Sequence, residues 1–414
     1  MSVRHIVSSL RRNRLMPLLL VAQVAIACAI LCNALFLLYQ RVGPMLVPDG
    51  IAPGEVIGVD QIIASGRSWS RAEIERTTQA LRAIPGVKFA TPVMGIPLAS
   101  SMQITGLVAG PDGTKTDVDV YMGDDMVDAL GLQLVAGRNF TEADYEGGGM
   151  DVGDGKQRAA PTPVIITRAL ADRLYAHGQA LGRPLTRVND KDGPGEVVVG
   201  VVRHLLRYKM DAAADGRAEN SVLVPTRITG SPLLSYAVRT DARARGRVIK
   251  AIPGVVKAQL GAGLMPGIDI QVRGYEDIRD RAFSSWRAAV WLLATVCAVV
   301  VVVTAVGIMG LTGYWVQQRR RQIGIRRALG ARRRDILAYF LAENFLIVGA
   351  GVAFGMVLAY AINLFLMRHY ELQRLPWSSL PVGALALWVL GQLAVLGPAR
   401  RAAAVPPVVA TRSV

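Results

Sequence analysis

This chain of 414 residues is poor in charge: 19% of it is Asp, Glu, Lys or Arg, against 52% hydrophobic residues. That balance excludes a disordered chain and points to a membrane protein. Cysteine is scarce, and Cys28, Cys32 and Cys297 all lie in apolar runs. The polar part of the chain therefore has no disulfide framework. Cys28 and Cys32 stand one helical turn apart and read as packing residues. Histidine is no more helpful. His5, His177, His204 and His369 fall in four separate segments, and no two have metal-ligand spacing. No G-x-x-x-x-G-K-[ST] phosphate loop occurs; GPDGTKT near Gly110 has the residue types at the wrong spacing and reads as a turn. No serine or cysteine nucleophile stands beside a supporting base. Asp117, Asp119, Asp124, Asp125 and Asp128 read as a solvated acidic loop rather than a cation site. The sequence thus assigns this chain no catalytic residue, no metal and no cofactor of its own.

Acidic charge is in deficit, with 31 acidic against 47 basic residues. The excess is local. Between Arg41 and Arg287 the count is 30 basic to 28 acidic. The surplus sits near the start (Arg4, Arg11, Arg12, Arg14), in residues 319–335, and in the tail (Arg400, Arg401, Arg412). Nucleic acid is a poor partner for a chain whose large polar domain is nearly neutral. The basic clusters instead report topology, because such clusters beside spanning helices stay cytoplasmic.

Four apolar runs are long enough to cross a bilayer, at residues 15–39, 288–316, 336–367 and 380–397. The charge rule then makes residues 1–14, 317–335 and 398–414 cytoplasmic, and residues 41–284 and 368–379 extracytoplasmic. Both termini are expected on the cytoplasmic side of the membrane. The first run could be taken for a signal peptide ending near AIAC. It continues to Tyr39, however, which is too long for a signal h-region, so it reads as an uncleaved anchor.

The expected fold is a four-helix membrane protein with a large α/β extracytoplasmic domain of two lobes. Repeated β-α-β units suggest those lobes. EVIGVDQII and SRAEIERTTQALRAIPGVKFATPV form one copy; LLSYAVRT and DARARGRVIKAIPGVVKAQL form the other. In each, Pro85-Gly86 or Pro253-Gly254 should end a helix and turn into a strand. Residues 105–225 would form the inserted second lobe, with strands in PVIIT and EVVVGVV, helices in DDMVDALGL and RALADRLY, and loops at 147–155 and 189–195.

Between Arg319 and Arg334, eight arginines occur in sixteen residues. Ile325, Ala328 and Leu329 fall on one helical stripe with Arg326 and Arg327 beside it, and Gly330 suits the C′ stop. Such a helix presents apolar and guanidinium groups together, which suits docking to a cytoplasmic groove. The same arginines also suit anionic lipid headgroups. Glu343 lies within the third run. It reads either as a hydrogen-bonding residue with Asn344 or as a gating or substrate residue. Gly349, Gly351 and Gly355 allow close helix approach.

The stretch QQRRRQIGIRRALGARRRDILAYFLAENFLIVGAGVAFG resembles the FtsX-like permease family of ABC transporters, as does the tail PARRAAAVPPVVATR. GLQLVAGRNFTEAD and LGRPL with EVVVGVV resemble the periplasmic core domain of MacB-type members. Gln322 departs from the Glu usual in the family. The resemblance implies a permease that couples to an ATPase through Ile323, Ile325, Arg326, Arg327, Ala328, Leu329, Gly330, Arg332, Arg333 and Arg334. ATP and Mg would be held by that cytoplasmic ABC ATPase subunit, expected on a separate chain because about fourteen residues precede the first run. Further implied partners are a second copy or a sister permease, a periplasmic adaptor, and membrane lipid. Efflux from the periplasm is the expected role. Control of a cell-wall hydrolase and lipoprotein extraction are the alternatives.

Overall fold

The computed structural model describes residues 15–99, 103–147, 150–152, 161–188, 195–208, 216–370 and 380–404. They divide into a helical unit, drawn from residues up to Val42 and from Trp286 onward, and a core domain, Gly43–Ser285.

Helix α1 (Leu15–Met45) leads into the core domain. There β1 (Val56–Ile63), α2 (Arg71–Arg82) and β2 (Val87–Met94) follow in order. Helix α2 starts where a capping box allows it: Ser70 accepts from the Glu73 backbone, and the Glu73 side chain accepts from the Ser70 backbone. Its buried face, Ile74, Thr77, Thr78 and Leu81, has helical spacing. The middle of the domain carries β3 (Ile104–Ala109), β4 (Lys115–Gly123), α3 (Met126–Leu130), β5 (Leu134–Gly137), α4 (Glu142–Gly147), β6 (Met150–Val152), β7 (Thr162–Thr167), α5 (Arg168–Leu174), β8 (Pro184–Arg187), β9 (Glu196–Val202) and β10 (Ser221–Ile228). The domain closes with β11 (Leu233–Thr240), α6 (Arg245–Leu260), β12 (Gln271–Gly274) and α7 (Tyr275–Ala282). The loops expected at 147–155 and 189–195 lie largely outside the described residues.

Among the described residues, all twelve strands share one sheet. Strands β12, β1, β11 and β2 run antiparallel. Strand β2 joins β4 through Val93 opposite Gly123 and Met94 opposite Met122. From β4 the pairing passes through β3, β8, β9, β7 and β10, then returns to β4, where β10 lies parallel to it. That circuit protects these six strands from edge-to-edge association. One buried cluster runs through the domain, from Ile57 and Val238 to Val164 and Leu185. Two lobes are therefore not separate bodies: the shared strand pairing and the continuous core make Gly43–Ser285 one compact unit.

The repeat holds in its first copy and fails in its second. Gly86 takes a positive φ of 98° and turns the chain into β2. Pro253 and Gly254 do not turn; both lie inside α6, which continues to Leu260. A proline in a helix interior costs about 3 kcal/mol. Here Val248, Ile252, Val256 and Leu260 form an i,i+4 ladder that is wholly buried. At roughly 1.5–3 kcal/mol for each buried aliphatic side chain, that ladder outweighs the proline. The expected strand after the turn is absent because its residues are the last turn of the ladder.

In the helical unit, α8 (Ser284–Gln318), α9 (Arg320–Ala328), α10 (Arg333–Tyr370) and α11 (Leu380–Ala404) follow. Helices α1, α8, α10 and α11 are long and apolar enough to span a membrane. At 1.5 Å per residue α10 is about 57 Å long, so it extends beyond a ~30 Å hydrocarbon layer. Close packing follows from glycine. A Cβ at Gly351 would lie 2.7 Å from Val24 Cβ, and one at Gly355 would lie 2.5 Å from Cys28 Cβ. Gly349 has nothing within 4 Å and does not serve this contact. Cys28 and Cys32 are buried with their sulfurs 3.9 Å apart, as packing residues between helices.

Candidate functional site

The basic segment folds into a short helix between two spans. One residue, Arg319, separates α8 from α9, and Leu329 N–H donates to Ile325 O at 3.0 Å to close the last turn of α9. Gly330 then takes φ +99°, the left-handed stop that a β-carbon would resist. The Arg332 N–H donates to Asp335 Oδ2 at 2.9 Å, which caps α10. Arg333 and Arg334 already belong to the first turn of α10, where Asp335 offsets their unfavourable interaction with the helix dipole.

The two sides of α9 differ. Ile323 is 6% exposed and belongs to the buried cluster that includes Ile336 and Phe340. It is therefore not part of an outward docking face. Ile325 is 51% exposed, Leu329 is 83% exposed, and Ala328 is exposed with them. The exposed trio lies with Arg332, Arg333 and Arg334, which are also open to solvent. The side chains of Arg326 and Arg327 lie outside the described residues.

Beneath this helix sits a contact that the sequence did not disclose. Arg319 Nη1 reaches Glu343 at 3.1 Å (Oε1) and 3.4 Å (Oε2). The Arg319 guanidinium also stacks over Trp315, 4.6 Å from the ring centroid. Glu343 is 3% exposed. Asn344, its neighbour, donates to Gly391 O of α11 at 3.0 Å rather than to Glu343. The expected hydrogen-bonding role for Glu343 thus has a different partner. The signal available beforehand was weak: an arginine ending one apolar run and a carboxylate early in the next, twenty-four residues apart.

The aspartate cluster of the core domain is a structural network. Asp119 is buried and pairs with Arg207 at 2.7 Å, while Asp117 pairs with Arg207 at 2.5 Å and with Arg217. Burial opposes the ionisation of Asp117, yet the two guanidiniums outweigh it and hold its pKa below the usual carboxylate value. Asp124 and Asp125 go the other way, raised by burial. This is not a solvated acidic loop. After β9, Arg207 and Tyr208 reach β4: Tyr208 N–H donates to Asp119 Oδ2 at 2.7 Å, and Arg207 Nε donates to Asp119 Oδ1 at 2.9 Å.

Both units of the chain match known families. Residues 37–264 match the MacB-like periplasmic core domain, and residues 294–407 match the FtsX-like permease C-terminal region. The chain belongs to the FtsX-like permease family, with a MacB-like core domain. The macrolide export ATP-binding/permease protein MacB of Neisseria gonorrhoeae is 28% identical over 312 residues, covering 72% of this chain and 42% of the relative. That of Wolinella succinogenes is 26% identical over 391 residues, covering 87% of this chain and 57% of the relative. That of Bradyrhizobium diazoefficiens is 34% identical over 144 residues, 34% of this chain and 22% of the relative. The chain thus spans about half the length of the first two of these relatives. Within the permease family, α9 lies in the region that matches the FtsX-like model, as do Arg319 and Glu343.

Proposed function

We propose that this permease transmits ATP-driven motion from a cytoplasmic ABC ATPase to its core domain, and that it serves export from the periplasm. The observation that carries this reading is the outward stripe of α9. Ile325, Ala328 and Leu329 are apolar, exposed and set among arginines, on a short helix joining two spans. Arginine pairs bidentately with carboxylates, and apolar side chains fill a groove, so the combination suits a protein partner better than water. ATP and Mg are held by that partner. The membrane is the bacterial inner membrane, with both termini and α9 cytoplasmic and the core domain periplasmic. The permease acts as a dimer, with itself or with a sister permease, and hands its cargo to a periplasmic adaptor. The export named for the MacB relatives supports this direction over hydrolase control or lipoprotein extraction.

Leu329→Asp tests the reading. It places a carboxylate in an apolar contact, at a cost of several kcal/mol to binding. It leaves the arginine count, and hence the orientation, unchanged. The variant should insert normally and fail to co-purify with the ATPase. Normal co-purification would reduce α9 to a topology determinant.

A further inference from the structure

The geometry points to Arg319 and Glu343 as a pin that makes α9 and α10 move as one body, so that a push on α9 reaches the membrane helices instead of being lost in a swinging joint. Both are positioning residues, and the inference rests on the proposed coupling role of α9.

Four observations converge. Arg319 is the single residue between the end of α8 at Gln318 and the start of α9 at Arg320, so it occupies the joint itself. Its backbone is still helical in its bonding: Arg319 N–H donates to Trp315 O at 3.2 Å, and Ile323 N–H donates to Arg319 O at 3.0 Å. Its side chain is held from two directions, by the Glu343 carboxylate and by the face of Trp315. Finally, Glu343 and Asn344 are consecutive on α10 and reach opposite neighbours. Glu343 holds the α8–α9 joint, while Asn344 holds α11 at Gly391, where a Cβ would lie 3.0 Å from both Val348 methyls.

Energetics says why such a pair matters. Taking a carboxylate and a guanidinium out of water is costly, and apolar residues of the same size would often hold the helices at least as well. A buried ion pair is therefore poor as glue. It is good at fixing one relative placement, because a guanidinium and a carboxylate satisfy each other in few geometries. Placed at a joint, that property converts a hinge into a rigid elbow. A water-sized cavity of about 20 Å³ beside the pair, lined by Leu20, Thr312, Trp315 and Asn344 among others, gives the unpinned side chains room to move. Burial of Ile323 in the apolar cluster would not by itself prevent rotation about the joint, because apolar burial is non-directional.

The pin can be tested on the permease alone, separately from docking. Spin labels on Gln322→Cys and Ala338→Cys, in a background without the native cysteines, report the distance between α9 and α10. The parent should give one narrow distribution. Glu343→Gln and Arg319→Gln should broaden it, and the exchanged pair Arg319→Glu with Glu343→Arg should narrow it again. A second reading uses the ATPase complex. Glu343→Gln should retain the ATPase but lose any nucleotide-dependent change in proteolysis of the core domain, and the exchanged pair should restore that change. A distribution in Glu343→Gln as narrow as the parent's, or a wild-type nucleotide response, would overturn the pin. If the single variants do not purify as homogeneous protein, the exchanged pair decides: a folded, narrow distribution supports the pin and its failure to assemble refutes it. Loss of the ATPase in Leu329→Asp bears only on docking, so the two ideas fail separately.

Discussion

At the scale of single residues, the core domain is held by carboxylates whose charge the fold favours. Glu73 is held at about 2 by its hydrogen bonds to Arg67 and Ser70, and Asp144 at about 2 chiefly by Arg138. Both are depressed from ordinary values near 4. The folded state therefore binds fewer protons than the unfolded chain between about pH 4 and pH 2. The stability these groups contribute is complete above about pH 4 and is lost as the pH falls through about 2. The unfolding midpoint of the purified protein should drop across that window, and Glu73→Gln with Asp144→Asn should flatten the drop. An unchanged slope in the double variant would remove these two pairs from the account. The residue scale is also where the sequence is least informative. Nothing in the spacing of Asp117, Asp119 and Arg207 distinguishes a solvated acidic turn from a buried network, because the network exists only once Arg207 and Tyr208 reach β4. The Arg319–Glu343 pair has the same character: it depends on the register of two long helices, which apolar composition leaves undetermined.

At the scale of elements, the hexapeptides RAIPGV and KAIPGV are nearly identical and end in different structures. One makes a turn into β2, and the other continues α6. Gly86 has a positive φ, and a Cβ there would lie 2.4 Å from Ala244 Cβ; Gly254 is helical with nothing within 4 Å. Opposite responses to the same change follow. Gly254→Ala should stabilise the domain by ~0.5–1 kcal/mol, because it removes the entropic cost of a helical glycine. Gly86→Ala should destabilise it by at least about 1 kcal/mol, from backbone strain and overlap together. Chemical unfolding of the two variants checks both signs, and equal signs would contradict the divergence. Local sequence could not tell the two apart, because the buried ladder from Val248 to Leu260 is what carries the helix through Pro253. Elsewhere the elements were readable. The strands in PVIIT and EVVVGVV, the helix capped by Ser70, and the apolar runs all carry their own periodicity or length. The return of the strand pairing from β10 to β4 was not readable, since it joins positions roughly a hundred residues apart.

At the scale of the whole molecule, the proposed coupling depends on orientation and on one exposed helix. Orientation is open to labelling in intact cells. A cysteine at Asp112, on an exposed turn of the core domain, should react with an impermeant reagent, whereas one at Arg333 should react only after the membrane is opened. Equal reactivity at both would overturn the topology. The outward face of α9 is the proposed ATPase-binding surface. The most direct test of that assignment is a photoreactive residue in native membranes, placed at Leu329 in one strain and at Ile323 in another. Leu329 faces solvent and Ile323 faces the bundle, on the same short helix. Light should join the Leu329 probe to an ATP-binding protein and the Ile323 probe only to this chain itself. A Leu329 probe that captures lipid alone, or an Ile323 probe that captures the ATPase as readily, would contradict that assignment.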